Sequence, residues 1–184
     1  MNPDIYHQAR AKYTPDRLKL LFITEAPPPF DRHRYFYFER VRRGDSLFLE
    51  MMKVLFPEEV NAFETTKQIR AEKSYFLERM QEEGYLLVHA HDTPLPGTTA
   101  AFRQRTYRDH LPQLIAMLLR LGSPRTPIVL VSAVVYRAVA DELRASGFRV
   151  IHDELIEYPN SGQQLNFRRK LKPLLMREQL LPEV

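Results

Sequence analysis

The sequence predicts an α/β fold, a three-layer αβα sandwich around a four-stranded, mostly parallel central sheet. Four short apolar runs end in turn-forming or proline-bearing stretches, which is typical of strands buried on both faces. Helical stretches alternate with these runs, an order that produces right-handed crossovers between parallel strands. The length of 184 residues fits one domain that can bury a sizeable core.

The predicted elements follow in chain order. Strands are expected at residues 18–24, 84–91, 127–133 and 148–152. Helices are expected at residues 46–56, 67–83, 108–121, 136–146 and 166–179, and Gly122 and Gly147 supply stop signals after two of them. We expect residues 1–184 to form a single domain in which residues 1–16 are a helical N-terminal extension.

Composition excludes several kinds of site. The chain has no cysteine, so disulfides, thiolate zinc sites, iron–sulfur clusters and cysteine nucleophiles are excluded. The longest apolar run, residues 127–136, is far shorter than the roughly 20 residues that cross a bilayer. The polar first residues do not resemble a secretory signal. A cytoplasmic protein without a membrane partner is expected, and no cofactor is indicated.

Arginine carries most of the net charge of +4. The arginines cluster at residues 32–43, 103–108 and 168–169. Guanidinium groups suit phosphates, so these clusters permit a polyanionic partner. A solvated surface is the alternative, since Asp31, Glu39 and Asp45 dilute the first cluster. Both interpretations stay open.

The loop after the first predicted strand is the leading candidate for chemistry. Ligands of open α/β sheets bind beyond the carboxyl ends of the strands. Here Glu25 is followed by Ala26 and three successive prolines, which fix φ and stiffen the chain. A rigid carboxylate in a cleft can orient water or face a developing positive charge. The alternative is a proline-rich turn in which Glu25 faces solvent or caps a helix.

Three further segments carry candidate residues. Residues 34–38 place four aromatics beside Arg34, a combination that either holds unstacked bases or fills the core. His89 and His91 share one face of a strand and could bind a metal, contact a ligand or be structural. Asn160 and Ser161 precede a basic helix, where they could offer backbone amides to a phosphate or cap the helix.

Two of these loops resemble motifs of the uracil-DNA glycosylase superfamily. Residues 24–28, Thr-Glu-Ala-Pro-Pro, stand where the iron–sulfur branch has Gly-Glu-Ala-Pro-Gly. Residues 158–162, Tyr-Pro-Asn-Ser-Gly, stand where the family has a His-Pro-Ser motif. The likeness spans roughly residues 18–175 in element order, and it implies a compact αβα sandwich, base flipping and hydrolysis of an N-glycosidic bond in DNA.

The resemblance also implies roles for individual residues. Glu25 would orient water, His89 would lie where the base edge is read, and Tyr158 would stand in place of the histidine that stabilises the leaving base. Phe36 or Phe38 would stack on the base. The nucleic acid would also be contacted by Asn160, Ser161, Arg34 and Arg168.

Three functions are compatible with these patterns. The first is a divergent DNA glycosylase-like hydrolase acting in DNA repair. The second is a nucleic-acid- or partner-binding protein without turnover. The third is a metal-dependent or small-molecule hydrolase that uses His89, His91 and Glu25.

Overall fold

A parallel three-stranded sheet forms the centre of the computed structural model, which describes residues 4–97 and 99–182. Its strands are β1 (Leu20–Thr24), β2 (Tyr85–His89) and β3 (Ile128–Val131), in the spatial order β2-β1-β3. Every strand residue is buried, because both faces of the sheet are covered. The predicted α/β class is therefore confirmed, with a parallel sheet.

Nine α-helices occur in the described residues. They are α1 (Asp4–Ala11), α2 (Ser46–Leu55), α3 (Pro57–Asn61), α4 (Thr66–Ala71), α5 (Lys73–Glu82), α6 (Ala100–Asp109), α7 (Leu111–Leu121), α8 (Ala133–Ala145) and α9 (Gln164–Arg177). A short 3-10 turn covers Phe30–Arg32. None of the helices in residues 4–97 and 99–182 combines the length and apolar character that a membrane span requires.

The predicted fourth strand at residues 148–152 is wrong. Only two isolated parallel bridges continue the sheet beyond β3, Ile128 with Val150 and Val131 with Ile156. Between them, the Nε2 atom of His152 accepts a hydrogen bond from the backbone N–H of Leu130 at 2.9 Å. An imidazole ring thus takes the place of a strand carbonyl, so a continuous ladder does not form.

Two predicted helices also differ from the observed ones. The region 67–83 contains α4 and α5, separated at Glu72, and α4 begins with a capping box between Thr65 and Gln68. The region 108–121 contains the end of α6 and the whole of α7, which meet at His110. The proline at the start of α7 lacks a backbone N–H donor, which favours a new helix there.

The N-terminal helix α1 supports the loop that follows β1. It lies within the predicted extension 1–16, of which residues 1–3 are outside the described residues. The hydroxyl of Tyr6 donates a hydrogen bond to the carbonyl of Pro28 at 2.8 Å. The Tyr6 ring packs on Tyr35 and Phe38, with centroid separations of 4.8 and 6.0 Å. The proline loop is consequently supported by buried aromatic packing.

Candidate functional site

A cleft of about 510 Å³ opens at the carboxyl ends of β1 and β2. Its walls come from five stretches of chain, 24–36, 44–48, 89–97, 103–107 and 158–160. Glu25 and Asn160, which are far apart in the sequence, therefore line the same cavity. Small-molecule sites commonly occupy about 300–1,000 Å³, so the cleft is large enough for one nucleotide-sized ligand.

Three side chains fix the carboxylate of Glu25, which is 23% exposed. Ser132 donates its hydroxyl hydrogen to Oε1 at 2.7 Å. Arg103 forms an ion pair with Oε2, its Nε lying 2.9 Å away. The hydroxyl of Tyr107 lies 3.5 Å from Oε2 and accepts a hydrogen bond from the backbone N–H of Ala26 at 3.0 Å. The carboxylate is thus held in one orientation at the edge of the cleft.

Ser132 links this carboxylate to a helix. It is the N-cap residue of α8, where its hydroxyl oxygen accepts hydrogen bonds from the N–H groups of Val134 and Val135. The same hydroxyl donates a hydrogen bond to Glu25, so the acidic side chain is linked to the positive end of α8.

The residues that hold Glu25 were not predicted as site residues. The sequence placed Ser132 at the end of a strand but indicated no role for it. Arg103 appeared only as a member of an arginine cluster, and nothing in the sequence marked Tyr107.

Tyr158 presents a neutral phenol to the cleft. Burial raises its pKa to about 12, and the negative charges of Glu25 and Asp45 act in the same direction. A phenol that stays protonated at neutral pH is a hydrogen-bond donor. The sequence placed Tyr158 near Glu25 only by resemblance, and the structure places both in the lining of one cavity.

His89 lines the same cleft but is only 6% exposed. Burial lowers its pKa to about 3, and the positive charge of Arg10 contributes to the same shift. The imidazole is therefore neutral at physiological pH. It packs against the Tyr35 ring at a centroid separation of 5.3 Å. Its chemistry in the cleft is that of an uncharged hydrogen-bonding group.

The two candidate stacking rings differ in location. Phe36 lines the cleft and is anchored by an edge contact with Phe48 at 5.8 Å. Phe38 is absent from the cleft lining and packs edge-on against Phe30 and Tyr35. Only Phe36 is therefore placed to contact a ligand in the cleft.

The predicted polar contacts separate in the same way. Asn160 and Arg34 line the cleft, whereas Ser161 and Arg168 do not. Ser161 is exposed on the turn beyond Asn160. Arg168 forms an ion pair with the buried Glu50, which connects α9 to α2. Arg168 therefore stabilises the packing of two helices instead of facing the cleft.

One wall of the cleft contains Asp45, which belongs to a buried charge cluster that the sequence did not reveal. Asp45 accepts a hydrogen bond from Nε of Arg70 at 2.7 Å, and its Oδ2 atom has no hydrogen-bond partner. Lys73 is wholly buried, its Nζ lying 4.7 Å from the centre of the Phe48 ring. Burial lowers the pKa of Lys73 to about 7, although the charge of Asp45 acts against this shift.

The three ligands that a metal-dependent hydrolase would need do not come together. His91 is not part of the cleft lining, and its Nδ1 lies 2.9 Å from the carbonyl oxygen of Thr93. Within residues 4–97 and 99–182, no group of three or more histidine, aspartate or glutamate side chains is arranged to bind a metal ion.

Searches of protein-family models, of curated proteins and of solved structures found no match to this chain. The functional conclusion therefore depends on the chemistry of the cleft. That chemistry combines a fixed carboxylate, a neutral imidazole, a phenol donor and the Phe36 ring in a single cavity.

Proposed function

We propose that the chain is a divergent DNA glycosylase-like hydrolase that acts on a single nucleotide extruded into the Glu25 cleft. The observation that carries this proposal is the position of Glu25, a carboxylate fixed by Ser132 and Arg103 in a cavity large enough for a nucleotide. The resemblance of residues 24–28 and 158–162 to the uracil-DNA glycosylase motifs supports the same function. A three-layer αβα arrangement of the uracil-DNA glycosylase type belongs to this proposal as well.

In the proposed reaction, Glu25 faces the sugar carbon that bears the base. Its negative charge stabilises the positive charge that develops on the sugar, and it orients the attacking water. The water oxygen bonds to the sugar carbon, the bond to the base breaks with its electron pair on the base nitrogen, and the proton lost by water neutralises the base. Tyr158 donates a hydrogen bond to the departing base, while Phe36 packs against its face.

The test is cleavage of oligonucleotides that contain uracil, hypoxanthine or an alkylated base. Alkali-labile abasic sites should appear with the wild-type protein and should form about 10²–10⁴-fold more slowly with Glu25→Gln. Glu142→Gln, an exposed carboxylate on α8, is the matched control and should retain full activity. Intact oligonucleotides across the panel would exclude the hydrolase.

A second function, nucleic-acid binding without turnover, is favoured by one observation. The Nε atom of the Arg103 guanidinium lies 2.9 Å from Oε2 of Glu25. Its positive charge offsets the negative charge of the carboxylate, which would otherwise stabilise the positive charge that develops on the sugar during hydrolysis. In this case oligonucleotides should bind with affinity that falls as salt rises, because counterions are released from phosphates, and no abasic site should form. Arg103→Gln separates the two functions, since it should alter cleavage by a hydrolase but create none in a binding protein.

A further inference from the structure

A second concavity, of about 540 Å³, lies beside the Glu25 cleft. We call it the arginine groove, and its lining consists of Asp31, Arg32, His33, Arg34, Arg40, Arg42 and Arg43. Arg32 and Arg34 line both cavities, so the groove and the cleft are adjacent. Five arginines thus face a single carboxylate next to the candidate active site.

The acidic residues that dilute this cluster in the sequence are mostly directed elsewhere in the fold. Glu39 forms an ion pair with Lys12 and accepts a hydrogen bond from the Tyr13 hydroxyl at 2.6 Å. Asp45 is buried and pairs with Arg70. Only Asp31 remains in the groove, and among the described residues none of its five arginines forms an ion pair. The charge of Glu39 still acts on Arg40, and Asp31 lies among the arginines, so the groove keeps an excess of positive charge without any ion pair.

The backbone of the groove is anchored although four of its five arginines are exposed and Arg34 is half-buried. Val41 is buried between the exposed Arg40 and Arg42, so the peptide is held while the flanking side chains reach solvent. Gly44 has a φ of +75°, and a Cβ atom at this position would lie 2.6 Å from Cδ of Arg34. The Arg34 side chain consequently lies against the Gly44 backbone, at the junction of the groove and the cleft.

We propose that the arginine groove binds the phosphates of a nucleic-acid strand on one side of the nucleotide that occupies the Glu25 cleft. This inference rests on the proposed function, because it assigns the cleft to a nucleotide of the same strand. Guanidinium forks bind phosphate oxygens in a bidentate manner, and a cluster of them without ion pairs offers several such contacts. A concave groove adjacent to a nucleotide-sized cavity fits a flexible polyanion better than a flat anionic membrane. An acidic peptide would leave the cleft without an occupant.

The test measures binding of a fluorescein-labelled single-stranded oligonucleotide by anisotropy over a range of salt concentrations. The double substitution Arg40→Gln/Arg42→Gln should weaken binding at least tenfold at low salt. It should also reduce the slope of log K against log[salt] by about 1.4, because each lost phosphate contact on single-stranded DNA removes about 0.7. Arg32→Gln/Arg43→Gln, with the same charge change in the same groove, should behave similarly.

The matched control is Arg120→Gln/Arg125→Gln. Both residues are exposed. Arg120 lies in the last turn of α7 and Arg125 in the loop before β3, at the amino ends of the strands and opposite the cleft. This variant should bind like the wild type. A thermal unfolding midpoint close to that of the wild type establishes that each variant is folded.

Three results would overturn the inference. An unchanged salt slope in both folded groove variants would place the phosphates elsewhere, and base excision by those variants at the wild-type rate would show that the proposed function survives without the groove. Loss of affinity in the Arg120/Arg125 control equal to that in the groove variants would indicate a general charge effect. Tight binding to phosphatidylserine vesicles, without oligonucleotide binding at low salt, would indicate a lipid surface and would also contradict the proposed DNA substrate.

Discussion

The Glu25 cleft and the arginine groove are adjacent and share two residues, but they differ in whether their charged side chains have partners within the protein. In the cleft, each carboxylate has a cationic partner within the protein, Arg103 for Glu25 and Arg70 for Asp45. In the groove, five arginines face one aspartate and form no ion pair among the described residues. Charges paired inside the protein contribute to the fold and to the orientation of the site. Charges without an internal partner are free to bind a ligand.

This comparison has an energetic consequence. Substitutions of the buried, paired groups around the cleft should lower the free energy of unfolding, because they leave a desolvated partner behind. Substitutions in the groove should leave the free energy of unfolding nearly unchanged and act only on binding. The predictions below test this contrast, beginning with the largest expected change.

The first prediction concerns Asp45→Asn. The Asp45 side chain is 1% exposed and does not cap α2, so its main role is to offset the charges of Arg70 and Lys73. Removing the carboxylate charge should lower the free energy of unfolding by about 3 kcal/mol, measured by urea denaturation. Asp153→Asn, at a fully exposed carboxylate near Arg144, is the control and should have no measurable effect. Wild-type stability of Asp45→Asn would show that the cluster does not depend on this pair.

The second prediction concerns pH and His89. The folded state holds this histidine neutral, with its pKa lowered to about 3, whereas the unfolded chain titrates near pH 6.5. The contribution of neutral His89 to the free energy of unfolding is therefore complete above pH 6.5. It falls as the pH drops, because protons bind preferentially to the unfolded chain. This group alone should account for a loss of about 2 kcal/mol at pH 5. His152, whose pKa is also lowered by burial, should add to this loss.

The control for this prediction is His89→Gln, which removes one titrating group and should make the stability less dependent on pH between 7 and 4. Oligonucleotide binding through the groove should change little over the same range while the protein remains folded, since arginine stays protonated. A pH profile of stability that is identical in the wild type and the variant would contradict the assignment.

These predictions involve both residues that the sequence identified and residues that it did not. Glu25 and His89 could be chosen because parallel strands bring their loops to one edge, a rule that needs only strand order and chain direction. Tyr158 was placed beside them by the family resemblance. Phe38 and Arg168 were predicted as nucleic-acid contacts, but they lie outside the cleft lining. Their contacts with Tyr6 and Glu50 are tertiary, and the composition of a short segment does not distinguish a core ring from a cleft ring.

The fold shows the same limit. The three continuous strands could be identified from their apolar runs. The same criterion could not show that the fourth predicted strand does not form. Residues 148–152 have a strand-like composition, and the ladder is interrupted because the His152 ring accepts the Leu130 N–H. Likewise, the charge of the arginine groove depends on where Glu39 and Asp45 find partners, at Lys12 and Arg70, which lie 27 and 25 residues away in the chain.

The third prediction concerns Ser132→Ala. The hydroxyl caps α8 and donates to Glu25, so its removal should lower the free energy of unfolding by about 1 kcal/mol. Ser132→Thr retains a hydroxyl and should restore most of this stability. If Ser132 also positions Glu25, the alanine variant should lower the rate of base excision more than its substrate affinity, and threonine should restore the rate. Equal stability of the alanine variant and the wild type would contradict the capping role.

The last and smallest effect is expected for Arg42→Gln/Arg43→Gln in the arginine groove. Both side chains are exposed, and removing two like charges relieves repulsion within the groove. The free energy of unfolding should therefore stay within about 0.5 kcal/mol of the wild type, or rise slightly at low salt. Urea denaturation at low and high salt measures this change.

The matched control is Arg79→Gln, which removes an arginine that does have internal partners. The Arg79 guanidinium pairs with Glu59, Glu82 and Glu83 and lies 5.3 Å from the centre of the Phe56 ring. Its loss should lower the free energy of unfolding more than the loss of both groove arginines. The opposite ranking would mean that Arg42 and Arg43 stabilise the fold. They would then not be free for phosphate, and the distinction between the cleft and the groove would fail.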